Sequence, residues 1–148
     1  MSTAVAILIA LLLGAGLASQ VGINSSLRGA LGHPLHATIV NFIVGIAALF
    51  AMAAAIGLRT PPGGAFARTS PWMYAGGLIG AVYVIGTVVL APKLGAATLM
   101  VLIVTGQLVA ALVIDHFGWL GFPIHPASWQ RLLGVALLVA GVILVRRG

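Results

Sequence analysis

Residues 94–114 run LGAATLMVLIVTGQLVAALVI, an uninterrupted stretch without a charged side chain. At about 1.5 Å per helical residue, a stretch of this length can cross a hydrocarbon core of about 30 Å. Three similar stretches precede it, beginning at Ala4, Ala37 and Trp72. The chain is therefore predicted to be a membrane protein with several spans.

A shorter apolar stretch follows near the C-terminus, from Leu132 to Val145. Ser128 is suited to cap a helix, and arginines at both ends of the stretch can extend outward from a longer helix. The stretches do not alternate in polarity as barrel strands do, so an all-α integral membrane fold is predicted. We predict a single membrane domain over residues 1–148, with five spans at about 4–24, 37–58, 72–91, 95–115 and 129–146.

The amino-acid composition limits the classes of function that the chain can have. The chain is 61% hydrophobic and 5% charged, whereas a soluble domain has about 25% charged residues. Its net charge of +6 comes from single cations in short connections, which indicates membrane anchoring and no nucleic-acid binding. There is no cysteine and one acid, Asp115, and His33 and His36 flank Pro34 beside a span. We therefore expect no enzyme activity, no cofactor and no metal site.

The cations are divided almost evenly between the two ends of the spans. One side holds Arg59, Arg68 and Arg131, and the other holds Arg28, Lys93, Arg146 and Arg147. Orientation is set mainly by an excess of Lys and Arg on the cytoplasmic side, so this chain has little reason to insert one way only. An odd number of spans without a preferred orientation predicts an antiparallel homodimer. The alternative is a partner chain that imposes one orientation.

The three tryptophans lie beside connections on the first of these sides: Trp72, Trp119 and Trp129. Aromatic rings prefer the headgroup zone of a bilayer. The segment from His116 to Gln130 is therefore predicted to lie along the interface, in contact with membrane lipid.

Polar side chains inside the first span share one stripe. Gln20, Asn24 and Arg28 recur at intervals of four and so lie on one helix face. An amide within lipid requires hydrogen-bond partners. The stripe fits either the wall of a wet cavity or an interhelical hydrogen-bond clamp with Arg28 at the interface, and the sequence leaves both open.

The next three spans also carry polar residues, which favours a shared polar interior. These residues are Asn41 in the second span, Tyr83 and Thr87 in the third, and Thr105 and Gln107 in the fourth. Asp115 stands at the end of the fourth span, where it could take part in ion coupling. It could instead be a helix-end residue paired with Arg131 or His116.

The C-terminal half resembles the drug/metabolite transporter superfamily, through Gly95-Ala-Ala-Thr98, the run from Gly106 to Gly118, and the run from Arg131 to Val142. The segments Gln20-Val-Gly-Ile-Asn24-Ser-Ser-Leu-Arg28 and Asn41-Phe-Ile-Val-Gly45 are similar to its small five-helix branch, the DUF606 or YdcZ-like family. The resemblance covers essentially the whole chain.

In that superfamily, ten-helix members consist of two inverted five-helix halves around a central cavity. The resemblance implies that this chain is one half, completed by a second copy or a paralogous five-helix subunit. It also implies a substrate cavity lined by Gln20, Asn24, Tyr83, Thr87, Thr105 and Gln107, with Asn41 nearby. With Arg28 close by as a possible anion contact, such a cavity fits a neutral, zwitterionic or anionic metabolite at least as well as a cation. The first span lacks the glutamate of the related four-helix multidrug exporters, so proton-coupled export of cationic drugs is not implied.

These observations predict a small-solute transporter in the plasma (inner) membrane of a bacterium, working by alternating access as an antiparallel dimer. Two alternatives stay open. One is a non-transporting scaffold or regulatory subunit, in which the polar stripes are packing contacts. The other is a component of a flippase for a lipid-linked substrate.

Overall fold

The computed structural model describes residues 2–147 and contains five long α-helices. They are α1 (Thr3–Leu31), α2 (Pro34–Ala55), α3 (Ala75–Leu94), α4 (Ala96–Phe117) and α5 (Trp129–Arg147). Short 3₁₀ turns occupy Phe66–Arg68, Pro71–Tyr74 and Trp119–Gly121, and no strand occurs between residues 2 and 147. All five helices are long and apolar enough to cross a membrane. The all-α prediction with five spans is confirmed.

Helix α1 extends beyond the membrane span predicted at about 4–24 and includes Arg28, as the stripe on one helix face requires. It continues to Leu31 and stops at Gly32, whose φ of +74° lies in the left-handed region. The Gly32 amide donates to the carbonyl of Arg28 at 2.9 Å, which closes the last turn. His33 then caps α2 by accepting from the Leu35 amide at 3.1 Å, with Pro34 at the first helical position. Gly32 and His33 are therefore the residues that connect α1 to α2.

Helix α3 extends beyond the end of the span predicted at about 72–91. Pro92 lies inside α3, which ends at Leu94, and Gly95 with φ +75° separates it from α4. Pro92 has no amide hydrogen to donate to the Val88 carbonyl, and α3 ends two residues later. The turn between α3 and α4 is therefore very short.

The chain divides into two compact units, one ending at Pro92 and the other beginning at Lys93. In the N-terminal unit α1 packs against α2. Its core contains the buried side chains Ala37, Val84 and Val88, and Leu27, Phe42 and Tyr83 pack around them. Helices α1, α2 and α3 therefore all contribute to this core.

The C-terminal unit contains α4, α5 and the connection between them, and α4 packs against α5. Ser128 caps α5 as predicted, because its Oγ accepts from the Arg131 amide at 3.4 Å. Gly118, with φ +64°, ends α4, and a Cβ atom added there would lie 2.6 Å from Ile124 Cγ1. A side chain at residue 118 would therefore both strain the backbone and displace the connection.

Candidate functional site

Two predicted site residues of the N-terminal unit are joined directly. Gln20 Nε2 on α1 donates to Asn41 Oδ1 on α2 at 3.3 Å, and both side chains are half-buried. An amide pair of this kind satisfies polar groups that lipid would leave unpaired. This bond joins α1 to α2, as expected if Gln20 takes part in an interhelical hydrogen-bond clamp.

Asn24 lies one helical turn after Gln20 and is more deeply buried. Its side chain is 3% exposed, and together with Val21 it forms the buried face of α1. The amide stripe therefore faces the interior of the N-terminal unit. An amide at this depth is costly unless it is hydrogen-bonded.

The two predicted residues of α3 differ in how their hydroxyls are satisfied. Thr87 is 4% exposed and donates to the carbonyl of Val84 on its own helix at 2.8 Å. The Oη atom of Tyr83 is buried and has no hydrogen-bond partner among residues 2–147. Thr87 therefore has its donor engaged locally, whereas the Tyr83 hydroxyl makes no such bond within residues 2–147.

Arg28 is half-buried and is bonded to the backbone rather than to a carboxylate. Its Nη1 atom on α1 donates to the carbonyl of Val88 on α3 at 3.3 Å. The guanidinium also borders an open notch lined by Ser25, Gly29, Gly32 and Pro92, with a volume of about 420 Å³. Arg28 thus links two helices of the N-terminal unit.

Two further predicted cavity residues lie on α4, in the C-terminal unit. Thr105 is half-buried and donates to the carbonyl of Val101 at 2.7 Å, so its donor is also engaged by its own helix. Gln107 is exposed near the middle of α4. An exposed amide at this depth would face hydrocarbon unless another molecule covered it.

Asp115 is paired with Arg131, one of the two partners considered for it. Arg131 Nη1 lies 3.2 Å from Asp115 Oδ2, and the two side chains are 38% and 31% exposed. His116 has a different partner, because its Nδ1 accepts from the Ala127 amide at 3.0 Å. Arg131 also donates to the carbonyl of His125 at 3.3 Å, and the His125 amide donates to the carbonyl of Asp115 at 2.8 Å. These bonds hold the connection against the ends of α4 and α5.

The carbonyl of Val88 is a polar group that sequence reasoning missed. A signal for it exists, because Pro92 stands four residues later and has no amide hydrogen to donate. The contact with Arg28 depends on the packing of α1 against α3. Sequence spacing alone cannot supply that information.

Comparison with known proteins assigns the family. Residues 5–144 match the DMT_YdcZ family, described as "Putative inner membrane exporter, YdcZ". The chain belongs to this family. The match includes nearly all of both units, so the predicted relationship to the YdcZ-like branch of the drug/metabolite transporters is confirmed.

A curated relative is the inner membrane protein YdcZ of Escherichia coli (strain K12), which is 34% identical over 76 residues. The aligned part is 51% of this chain and 50% of that protein, so the chain spans about half the length of the relative it matches. No solved structure significantly matches the chain.

Family membership and the five apolar helices together identify a multi-pass protein of the inner membrane. The family description is that of a transporter rather than an enzyme. This agrees with the membrane transport that the resemblance implied.

Proposed function

We propose that this protein moves a small polar solute across the inner membrane by alternating access, as an antiparallel pair of five-helix chains. Two opposed copies would form ten helices around a central polar path. Support comes from the family description, from the odd number of spans and from the near-even division of cations.

The observation that carries the proposal is the unpartnered hydroxyl of Tyr83. A buried donor without a partner costs about 1–3 kcal/mol, and the Oη atom of Tyr83 has no partner between residues 2 and 147. A solute with a hydrogen-bonding oxygen or nitrogen would remove that cost when it binds. A buried polar group without a partner calls for an explanation, and a bound solute supplies one.

Gln107 supports the need for a second copy. It is exposed near the middle of α4, where lipid offers no hydrogen bond. No residue of α5 between Trp129 and Arg147 is buried, and the buried residues of α1 are Val21 and Asn24. A partner chain would cover part of this surface and give the Gln107 amide a polar environment.

The solute class follows from the side chains proposed to line the path. They are Gln20, Asn24, Asn41, Tyr83, Thr87, Thr105 and Gln107. None carries a charge, so the path suits a neutral or zwitterionic metabolite better than a cation. In a membrane interior, an uncharged path would offer a cation no negative countercharge.

A tyrosine pair gives the sharpest test. Purified protein would first be screened by thermal shift against small polar metabolites, and a hit would then be assayed for flux into proteoliposomes. We expect Tyr83→Phe to lower flux about tenfold, the factor for about 1.4 kcal/mol, while its thermal midpoint stays level or rises. Tyr74→Phe is the matched control, because Tyr74 is exposed and its hydroxyl contacts Thr69.

Equal flux in both variants would contradict a solute contact at Tyr83. A chain that binds none of the screened metabolites, while its polar contacts remain intact, would favour the scaffold function instead. The two results are distinct. Equal flux in the two tyrosine variants requires a chain that transports a solute, whereas the scaffold function is indicated by a chain that binds no solute.

Orientation tests the antiparallel pair separately. Reporters active on one side of the membrane, fused at the C-terminus, should give comparable signals from both sides. Two lysines added between Pro62 and Gly64 should bias insertion and lower activity as one orientation disappears. Unchanged activity in a population shown to insert one way only would refute pairing of opposed copies.

A further inference from the structure

The carbonyl of Val88 is the point in α3 where the helical hydrogen-bond ladder is broken. In an α-helix this carbonyl accepts from the amide of residue 92. Residue 92 is proline, which has no amide hydrogen, and its ring also crowds the carbonyl four residues earlier. Val88 is 0% exposed, so water does not replace the missing donor.

Arg28 supplies a donor at this carbonyl. Its Nη1 atom lies 3.3 Å from the Val88 oxygen and approaches from α1. The donor is charged, and charge-assisted hydrogen bonds are about twice as strong as neutral ones. The residue that breaks the ladder and the residue that repairs it therefore stand on different helices.

The charge of Arg28 is compatible with this position although it has no acidic partner. The chain has one acid, Asp115, which pairs with Arg131. Arg28 instead lies in the last turn of α1, and its acceptor lies near the end of α3. The unpaired carbonyls at two helix C-termini carry partial negative charge, which stabilises a cation.

We propose that Arg28 is a positioning residue that completes α3 at the Pro92 break and thereby fixes the end of α1 against α3. Asn24 lies one turn before Arg28 on the same stripe of α1, and Tyr83 and Thr87 lie on α3. The bond therefore sets the spacing between two faces that carry proposed solute contacts. This last step rests on the proposed transport function, whereas the repair of the ladder does not.

A double-mutant cycle tests the repair without any substrate. Arg28→Met keeps the apolar stem of the side chain and removes its donors. In the chain with Pro92, we expect this change to lower the folded-to-unfolded ratio in detergent about tenfold. Pro92→Ala restores an amide that can bond to the Val88 carbonyl. In that background most of the loss caused by Arg28→Met should vanish.

Two controls separate repair from simpler effects. Lys93→Ala removes a cation from the same end of α3 without touching the Val88 carbonyl, and its effect should be small with either residue at 92. If Arg28→Met alone fails to fold, the Pro92→Ala double variant should still fold, and its failure would overturn the proposal. An equal loss in both backgrounds would overturn it too, because the contribution of Arg28 would then not depend on the amide missing at residue 92.

Flux then tests the positioning role. With a transported solute in hand, Arg28→Met should lower flux in both backgrounds, because the tie between α1 and α3 is lost in each. Spin labels at Gly29 and Leu90, introduced through cysteines into a chain that has none, should report a broader distance distribution in both variants. If Arg28→Met left the distances and the flux unchanged while Pro92→Ala rescued its stability, Arg28 would serve only to complete α3. That result would overturn the positioning role.

Discussion

Two half-buried arginines, one in each unit, have chemically different partners. Arg28 donates to a neutral backbone carbonyl at 3.3 Å, whereas Arg131 pairs with the carboxylate of Asp115 at 3.2 Å. The other described cations are exposed: Arg59, Arg68, Lys93, Arg146 and Arg147. Among the Lys and Arg side chains of residues 2–147, these two arginines are therefore the ones that form hydrogen bonds within the fold.

The surroundings of the two arginines explain the difference. Around Arg28 the bonds join α1, α2 and α3 within their spans, through Gln20, Asn41 and the Val88 carbonyl. Around Arg131 the bonds hold the connection between the end of α4 and the start of α5. We infer that polar residues of the N-terminal unit serve the solute path, and that those of the C-terminal connection serve anchoring at the interface.

The largest effect is expected from the amide stripe of α1. Gln20→Ala and Asn24→Ala should each reduce flux about tenfold or more, since each removes a hydrogen-bonding amide from a site with little access to water. Folding would be checked by the elution profile and thermal midpoint of the purified variants. Ser19→Ala is a matched control on the same helix, because Ser19 is exposed and bonds to the carbonyl of Ala15 on its own helix. Normal flux in both amide variants, with folding intact, would place the path elsewhere.

A smaller effect is expected at the end of α4. Gly118→Ala should destabilise the protein by about 1–2 kcal/mol from the left-handed backbone, with a further penalty from the contact with Ile124. Gly121→Ala is the control, because Gly121 has φ +84° but open space around its Cβ position. The difference between the two thermal midpoints measures the steric part, and Ile124→Ala should remove it. Equal midpoints for the two glycine variants would show that the connection adjusts freely.

The smallest effect is expected from the ion pair. Asp115→Asn should change stability by at most about 1 kcal/mol, because each partner is about a third exposed and solvent screens the attraction. The change should shrink further at high salt. Flux driven by a proton gradient should be unaffected, if Asp115 serves the connection. Loss of gradient-driven flux with stability unchanged would instead assign Asp115 to ion coupling and break the contrast between the two units.

Much of the candidate site follows from spacing along the chain. Intervals of four place Gln20, Asn24 and Arg28 on one helix face, and Asn24 is buried on that face. Spacing could not choose between Arg131 and His116 as the partner of Asp115. That choice depends on how the connection folds back onto α4. The His125 amide bonds to the Asp115 carbonyl and the Ala127 amide bonds to the His116 ring, and these two bonds fix the position of the connection.

The sequence by itself determined that this protein has five membrane-crossing helices and belongs in a bilayer. Hydropathy and the helical hydrogen-bond ladder act over neighbouring residues, so both can be predicted from composition and span length. Only the tertiary structure decided where α1 ends and that Gln20 bonds to Asn41. It also decided that Arg28 bonds to the Val88 carbonyl at the Pro92 break, and that the buried Tyr83 hydroxyl has no partner among residues 2–147. These features depend on which helices approach each other and at what height, because a hydrogen bond requires its two atoms to lie within about 3.5 Å.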